Sequence, residues 1–257
     1  MTLRTLADAD ALIAAAGVAR RVAILGSGFI GLETAAAMRE RGVEVTMVSP
    51  MPVPLAGPLG EDLGRLVMSI HIGHGVHFRT AQAAAWIGDA LQLSDGTTVA
   101  ADAVIVGTGV TPRMGLAQRA GLHTDDGIVV DAMGETTHEG VFAAGDVARF
   151  PDPVTGRMIR VEHWAQAERA GATAAVNLLG GAQPLLEPTY FWSKHYSTNI
   201  RYSGHAESTA DVSIDGSLAE RDAVIRYLED GRVTALAGVG RDHEVLALEQ
   251  QLLRAAV

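Results

Sequence analysis

The chain has 257 residues, of which 48% are hydrophobic and 19% are charged, and this is enough to bury a substantial core. It contains no cysteine, which excludes disulfide frameworks, thiolate zinc sites and cysteine-ligated iron–sulfur clusters within these residues. The formal net charge of −10 argues against nucleic acid or an anionic membrane as the main partner. We see no signal peptide or membrane-spanning stretch in these residues, so we expect a cytoplasmic protein.

The first half of the chain has the pattern of a parallel α/β fold. An apolar strand over residues 21–25 leads into a glycine turn, a helix over 32–41 and a second strand over 43–48. Strand, turn, helix and strand in this order form a βαβ unit. The further predicted elements are a proline-rich loop over 50–58, a helix over 60–70, a strand over 76–79, short antiparallel strands over 83–100 with an Asp95-Gly96 hairpin turn, and a strand over 102–106.

The second half of the chain is predicted to be mainly antiparallel. Short strands are expected over 127–131 and 140–143, followed by a long helix over 162–179 that ends at Gly180-Gly181. Residues 184–188 have the composition of a linker. Beyond it we predict strands over 199–204, 210–214, 223–228 and 232–239, and a closing helix over 243–256.

The motif Gly26-x-Gly28-x-x-Gly31 lies directly between the first strand and the first predicted helix. Gly26 allows the tight turn, Gly28 lets the backbone approach a pyrophosphate, and Gly31 lets the helix pack close to the strand. The N-terminus of the helix then offers N–H groups and a positive dipole end to the phosphates. A glycine-rich turn without a ligand is the alternative, and the flanking elements favour dinucleotide binding.

Ser49 occupies the end of the second strand, where an acidic residue usually holds the adenosine ribose. A serine hydroxyl can donate to a ribose hydroxyl or to a 2′-phosphate, so this position leaves NADH and NADPH open. The lack of a nearby arginine or lysine slightly favours NADH.

Five segments, in this order, resemble motifs of the FAD-dependent pyridine nucleotide oxidoreductases. Residues 26–35 resemble the NAD(P)H-binding motif, and residues 107–112, with Gly109, resemble the strand-end loop of the family. Residues 137–147 are similar to the second flavin motif, residues 160–167 to the helix start beside the flavin, and residues 191–193 to the Phe-Trp-Ser segment of the C-terminal domain. The set resembles the ferredoxin reductase branch, which serves putidaredoxin, rubredoxin and aromatic dioxygenases.

This resemblance implies that NAD(P)H delivers a hydride to FAD, which passes electrons singly to a ferredoxin-type iron–sulfur protein. It places Glu33 near the nicotinamide and Asp146 on the flavin ribityl chain. The implied cofactor-binding residues are Gly26, Gly28, Phe29, Ile30, Gly31, Glu33, Ser49, Gly109, Gly145, Asp146, Glu162, His163, Trp164 and Trp192, the last four of these near the isoalloxazine.

The residues alone leave alternatives to three of these roles. For Asp146 the flavin role is favoured over the alternative of a helix or turn cap. For Glu33 a solvated carboxylate in the first helical turn is equally compatible with the spacing. Trp192 would serve as an ordinary core residue.

Three further observations concern a departure from the family pattern, the choice of branch and a possible metal site. Relatives commonly continue Phe-Trp-Ser with Asp-Gln, whereas this chain has Lys194-His195. No histidine precedes a proline, which disfavours the disulfide-reductase branch. His71, His74 and His77 recur every three residues, but glycines break the helix between them, so we expect no metal site.

We therefore predict an α/β fold with three parts. A Rossmann-like NAD(P)-binding domain covers 1–112, an incomplete FAD-domain segment covers 113–185, and a C-terminal α+β domain covers 186–257. The family's N-terminal FAD-binding half, with its own glycine turn, is absent from these residues, so we expect a truncated or split form. Such a form would expose apolar strand edges and retain FAD weakly or not at all.

Two other functions stay open at this point. One is a non-catalytic NAD(P)-binding fragment without flavin, and the other is an interaction module whose sheet edge docks a partner. The oligomeric state is also left open.

Overall fold

The computed structural model describes residues 1–255, with backbone only for residues 253–255. This part of the chain divides into two compact units. The first unit consists of Met1–Val110 together with Ser193–Asn199, and the second consists of Thr111–Trp192 together with the residues from Ile200 onward.

Six helices and fifteen strands occur within the described residues, together with a short 3-10 turn at Gly145–Val147. The helices are α1 (Leu6–Val18), α2 (Phe29–Glu40), α3 (Ala56–Gly73), α4 (Gly115–Arg119), α5 (Trp164–Leu178) and α6 (Asp242–Ala255). The strands are β1 (Arg21–Leu25), β2 (Glu44–Ser49), β3 (Val76–Thr80), β4 (Ala83–Ile87), β5 (Ala90–Leu93), β6 (Thr98–Ala100), β7 (Ala103–Val106), β8 (Ile128–Val129), β9 (Ala148–Pro151), β10 (Met158–Ile159), β11 (Tyr190–His195), β12 (Thr198–Gly204), β13 (Asp211–Ser217), β14 (Asp222–Glu229) and β15 (Arg232–Val239).

The first unit is built on a parallel four-stranded sheet in the order β3-β2-β1-β7. The three central residues of β1 are all buried, as expected for a parallel strand that is covered on both faces. A second, antiparallel sheet in the order β4-β5-β6 packs against the first, and Ala23, Val48, Leu91 and Leu93 meet in the core between them. The carboxyl ends of β1, β2 and β7 therefore lie side by side, where ligands bind in open parallel sheets.

The second unit contains two sheets. A small sheet in the order β10-β9-β8 has a core of Val130, Ala148, Phe150 and Ile159. A five-stranded sheet in the order β11-β12-β15-β14-β13 packs against α6 through Val224, Leu236, Val245 and Leu252. The turn of the β11–β12 hairpin belongs to the first unit, since residues 193–199 cluster with it.

The predicted α/β class, with its parallel Rossmann-like part and antiparallel C-terminal sheet, is confirmed. The strand predicted over 140–143 is wrong: only Phe142 forms a bridge, to Glu135, because Gly140 adopts φ +75° within a turn. The helix predicted from residue 32 begins three residues earlier, at Phe29. The pattern did not reveal α1, α4, β9, β10 or β11. Ala256, the predicted end of the last helix, lies outside the described residues.

Exposed large apolar side chains lie on helices, on the edge strands β4 and β13, and in loops, among them Val141 within the predicted strand 140–143. Both residues of the edge strand β8 are half-buried, whereas Leu6 and Val18 of α1 and Leu179 after α5 are strongly exposed. None of the helices among residues 1–255 is both long enough and apolar enough to cross a bilayer.

Candidate functional site

The glycine turn is forced into its shape by close approaches of backbone to backbone. Gly26 follows β1 with φ +96°, a conformation that L side chains rarely adopt. A Cβ atom at Gly26 would overlap the carbonyl oxygen of Gly107, and one at Gly31 would overlap the carbonyl oxygen of Gly26. These two glycines are therefore required by the fold itself.

Gly28 is different, because a Cβ atom there would meet no protein atom within 4 Å. Gly28 is the N-cap residue of α2 in an extended conformation with φ −81°, and no side chain caps the helix. The backbone and dipole of this helix end thus face open space, which is the arrangement that binds phosphate groups. The protein gives no reason for a glycine at this position, whereas a pyrophosphate lying against it would.

A cleft of about 700 Å³ opens beside the turn. Of the predicted site residues, Gly26, Gly28, Phe29, Ser49 and Gly109 line it. The remaining lining side chains are uncharged. Its volume suits a nucleotide-sized ligand.

Ser49 lies buried at the end of β2, at the wall of this cleft. The Ser27 and Ser49 hydroxyl oxygens are 3.0 Å apart, and the backbone N–H of Met51 donates to Ser49 Oγ over 3.1 Å. These bonds fix the Ser49 hydroxyl at the position that an acidic residue usually occupies.

Ile30 and Glu33 lie on another face of α2, beside α1, and line a separate apolar groove of about 290 Å³. Glu33 is the fifth residue of α2, so its predicted place in the first helical turn is wrong; the helix starts earlier than the pattern indicated. The Ser193 hydroxyl donates a hydrogen bond of 2.6 Å to the Glu33 carboxylate. Glu33 is thus not merely solvated, since a buried residue of the hairpin holds it.

The tip of the β11–β12 hairpin brings two buried histidines together within the first unit. His195 Nε2 lies 3.2 Å from Ser193 Oγ, and His195 Nδ1 lies 3.1 Å from His71 Nε2. Burial lowers the pKa of His195 to about 4, and burial together with the neighbouring His195 and His74 lowers the pKa of His71 to about 3. Both imidazoles are therefore neutral at pH 7.

The predicted flavin-facing residues of the second unit gather around the start of α5. The ring centroids of Trp164 and Trp192 are 5.0 Å apart, and His163 lies 5.6 Å from Trp192. Trp164 and Trp192 are 59% and 36% exposed, so neither is an ordinary core residue. His163 is the N-cap of α5, where its Nδ1 accepts from the N–H of Ala165, and burial lowers the pKa of His163 despite the nearby Asp146.

Gly145 and Asp146 form the 3-10 turn opposite this helix start. Gly145 adopts φ +77°, and the Asp146 carboxylate caps neither this turn nor any described helix, so the capping alternative is not supported. Arg160 bonds both the Asp146 carbonyl oxygen, at 3.3 Å, and the Glu162 carboxylate, at 2.7 Å. Arg160 thereby ties the turn to the segment that leads into α5.

Within the described residues, no group of three histidine, aspartate or glutamate side chains is placed to hold a metal ion. His77 lies exposed on β3, while His74 stacks on Tyr196 with ring centroids 3.6 Å apart.

Comparison with known proteins gives the same assignment along the chain. Residues 1–171 match the model of the pyridine nucleotide-disulphide oxidoreductases, and residues 190–257 match the reductase C-terminal domain. The ferredoxin–NAD(+) reductase component of the anthranilate 1,2-dioxygenase system of Burkholderia cepacia is 41% identical over 248 residues, which cover 93% of this chain and 61% of that protein. Rhodocoxin reductase of Rhodococcus erythropolis is 32% identical, covering 97% of this chain and 61% of that protein.

Solved structures agree with these relatives. Putidaredoxin reductase, in its covalent complex with putidaredoxin, superposes with a TM-score of 0.93 at 29% identity, covering 99% of this chain and 63% of that one. A ferredoxin reductase from Rhodopseudomonas palustris gives a TM-score of 0.92 at 31% identity, covering 100% of this chain and 65% of that one.

The fold and these matches place the chain in the class of pyridine nucleotide oxidoreductases that carry a reductase C-terminal domain. The chain belongs to the pyridine nucleotide-disulphide oxidoreductase family, and its relatives are ferredoxin reductases. It spans about three fifths of the length of these relatives. The resemblance inferred from the sequence motifs is confirmed.

The sequence did not predict the contacts among Glu33, Ser193, His195 and His71. Their positions are up to 162 residues apart, and no spacing rule links them. The only available signal was the pair Lys194-His195 after the Phe-Trp-Ser segment, where relatives commonly carry Asp-Gln.

Proposed function

We propose that this chain supplies the NAD(P)H-binding and C-terminal parts of a ferredoxin reductase. The observation that carries the proposal is Gly28, which has open space around it at an uncapped helix end beside a nucleotide-sized cleft. The bound cofactors supply the redox chemistry, which is hydride transfer from NAD(P)H to FAD followed by electron transfer to a ferredoxin-type iron–sulfur protein. The chain positions them.

In this proposal the adenosine half of the dinucleotide occupies the cleft beside Ser49. The lining side chains of this cleft are uncharged, so nothing there would pair with a 2′-phosphate. NADH is therefore the expected nucleotide, with Ser49 bonding a ribose hydroxyl. The lack of a carboxylate makes this recognition weaker than in proteins that carry the usual acid.

The nicotinamide half would leave the helix N-terminus on the opposite side, toward Ile30 and Glu33. Both residues lie on the α2 face that is turned away from the adenosine cleft. Glu33 would then be the polar group that meets the nicotinamide end, with Ile30 as its apolar neighbour.

The flavin would lie against the second unit's exposed aromatic surface, made of His163, Trp164 and Trp192. Aromatic rings that are partly exposed and crossed at 65° to 85° offer a wall for a flat ring system. Asp146 would bond the ribityl hydroxyls, and Gly145 would leave room for them. We assign residues 1–112, 113–185 and 186–257 to the NAD(P)-binding, FAD-segment and C-terminal domains on the same grounds.

Replacement of Gly28 by alanine tests the nucleotide site. Alanine tolerates the φ of −81°, and its Cβ meets no protein atom, so the variant should fold normally. It should weaken NADH binding, measured by fluorescence titration, by roughly tenfold, about 1.4 kcal/mol. Gly73→Ala, at a glycine of α3 with equal free space, is the matched control and should bind as the wild type does. Equal affinity in both variants would refute the site.

A flavin spectrum tests how much of the reaction these 257 residues support. The sequence contains a single Gly-x-Gly-x-x-Gly turn and hence one such pyrophosphate cradle, so we expect a colourless chain that binds NADH. A yellow protein bleached by NADH would show that the chain itself is the flavoenzyme. A chain that binds neither nucleotide but captures a protein partner would favour the interaction module.

A further inference from the structure

Four side chains form a continuous hydrogen-bonded path in the first unit, which we call the Glu33 path. It runs from the Glu33 carboxylate to Ser193 Oγ at 2.6 Å, on to His195 Nε2 at 3.2 Å, and from His195 Nδ1 to His71 Nε2 at 3.1 Å. Ser193, His195 and His71 are at most 1% exposed, whereas Glu33 lies at the surface. The path therefore connects a surface carboxylate to the interior of the unit.

The chemistry of the four groups fixes the direction of every proton. A carboxylate accepts, so the single Ser193 proton is donated to Glu33, and Ser193 Oγ must accept from His195 Nε2–H. His195 is neutral, so its Nδ1 carries no proton and accepts from His71 Nε2–H. All three donors thus point toward Glu33.

The far end of the path agrees with this direction. His71 Nδ1 is buried and makes no hydrogen bond within residues 1–255. In the Nε2–H tautomer this atom is a lone-pair acceptor, so the path leaves no buried N–H unpaired at this end. Hydrogen bonds that are aligned head to tail polarise one another, so the alignment strengthens the last bond, on the carboxylate.

The hairpin turn is held rigidly beside the path. Tyr196 adopts φ +55°, which is unfavourable for a residue with a side chain, and its ring stacks on His74 at 7° with centroids 3.6 Å apart. It also meets the His71 ring edge-on at 5.3 Å. A strained turn persists only where its surroundings fix it, so Ser193 and His195 are presented in one geometry.

We propose that Ser193 and His195 are positioning residues that fix the Glu33 carboxylate at the nicotinamide end of bound NADH. This inference rests on the proposed nucleotide site. Ser193 occupies one carboxylate oxygen and so orients the other. His195 acts through Ser193 by using the serine lone pair, which leaves the serine proton available only to Glu33.

Comparison of NADH with ADP-ribose, which lacks the nicotinamide, tests the proposal in the 257-residue chain. Ser193→Ala should weaken NADH binding roughly fivefold, the size of one hydrogen bond, and leave ADP-ribose binding unchanged. Ser197→Ala, at an exposed serine of the same turn, is the control and should change neither affinity. An unchanged ratio of the two affinities in Ser193→Ala would overturn the inference.

Variants of His195 separate positioning from packing. A glutamine amide can donate to Ser193 and accept from His71, so His195→Gln should keep the wild-type ratio of NADH to ADP-ribose affinity, whereas His195→Ala should lower it as Ser193→Ala does. If His195→Gln and His195→Ala both lowered the ratio of NADH to ADP-ribose affinity, the assigned role would be contradicted.

Nitrogen-15 NMR of the histidines tests the path without any nucleotide. We expect the Nε2–H tautomer for both His71 and His195 at pH 7, and a Nδ1–H tautomer of His195 would overturn the proposal. If the wild type failed to bind ADP-ribose, the proposed function would fall, and the tautomers would still decide whether the path exists as described.

Discussion

The glycine turn and the hairpin tip are two parts of the same unit that reach a defined geometry by opposite means. In the turn, side chains are missing, and the shape comes from backbone packed on backbone, as where Gly26 meets Gly107. At the hairpin tip, side chains from three elements meet, and hydrogen bonds from Ser193 and His195 fix the geometry. The glycine turn therefore loses its geometry when a side chain is added, and the hairpin tip loses its geometry when a side chain is removed.

This difference has a functional meaning. A site made of backbone binds a group common to all dinucleotides, the pyrophosphate, and discriminates little among them. A site made of side chains can be changed one residue at a time. The hairpin tip is thus the more adjustable of the two regions.

Addition of a single methyl group should have the largest effect. Gly26→Ala combines a strained φ of +96° with overlap of the Gly107 carbonyl oxygen, and should lower the free energy of unfolding by roughly 3 kcal/mol. Gly28→Ala adds the same methyl group in open space and should change it by less than about 0.5 kcal/mol. Urea denaturation of both variants measures the difference, and similar losses would break the contrast drawn between these glycines.

Removal of a buried imidazole should alter the pH dependence of stability. The pKa of His71 is lowered to about 3 in the folded state, below its ordinary value of 6.5, so the unfolded chain binds more protons between these values. The contribution of neutral His71 to the free energy of unfolding is fully present above pH 6.5. It falls as the pH decreases, by roughly 1.4 kcal/mol per pH unit for one histidine. His71→Phe should reduce this slope, as measured by urea denaturation from pH 7.5 to 4.5. Equal slopes in the variant and the wild type would show that His71 is protonated without cost.

An ion pair in the second unit offers a reference that also loses its stabilisation as the pH falls, but in a lower pH range. Glu229 accepts from Arg157, from the Glu207 N–H and from Thr234, and the bond from Arg157 above all lowers the pKa of Glu229 to about 2. Its stabilisation is present above pH 4.5 and is lost as the pH falls through about 2.

Glu229→Gln should cost roughly 1 to 2 kcal/mol at pH 7, because charge-assisted bonds are lost. Denaturation curves should show this loss disappearing below pH 3, whereas the His71 effect is already large at pH 5. A Glu229→Gln loss that persists unchanged at pH 2.5 would contradict the ionised pair.

The parts of the molecule that the sequence predicted are those whose signals are local. The glycine turn, β1, β2 and the βαβ unit follow from one contiguous stretch of the chain, although Gly26 also packs against the distant Gly107. The strand predicted over 140–143 failed because Gly140 starts a turn that the apolar pattern conceals. Ser193 and His195 could not be predicted, because their partners are set by the docking of the hairpin turn on α2 and α3 within the first unit.

The alternation of β11 has a practical consequence. Ser193 and His195 point into the unit, so Lys194 between them points outward and is exposed. Lys194 is also the single lysine of the sequence. Once the terminal amine has been blocked, an amine-reactive dye would label this one side chain. It would place a fluorescent reporter one residue from the Glu33 path, where movements of the hairpin could be followed as nucleotide is added.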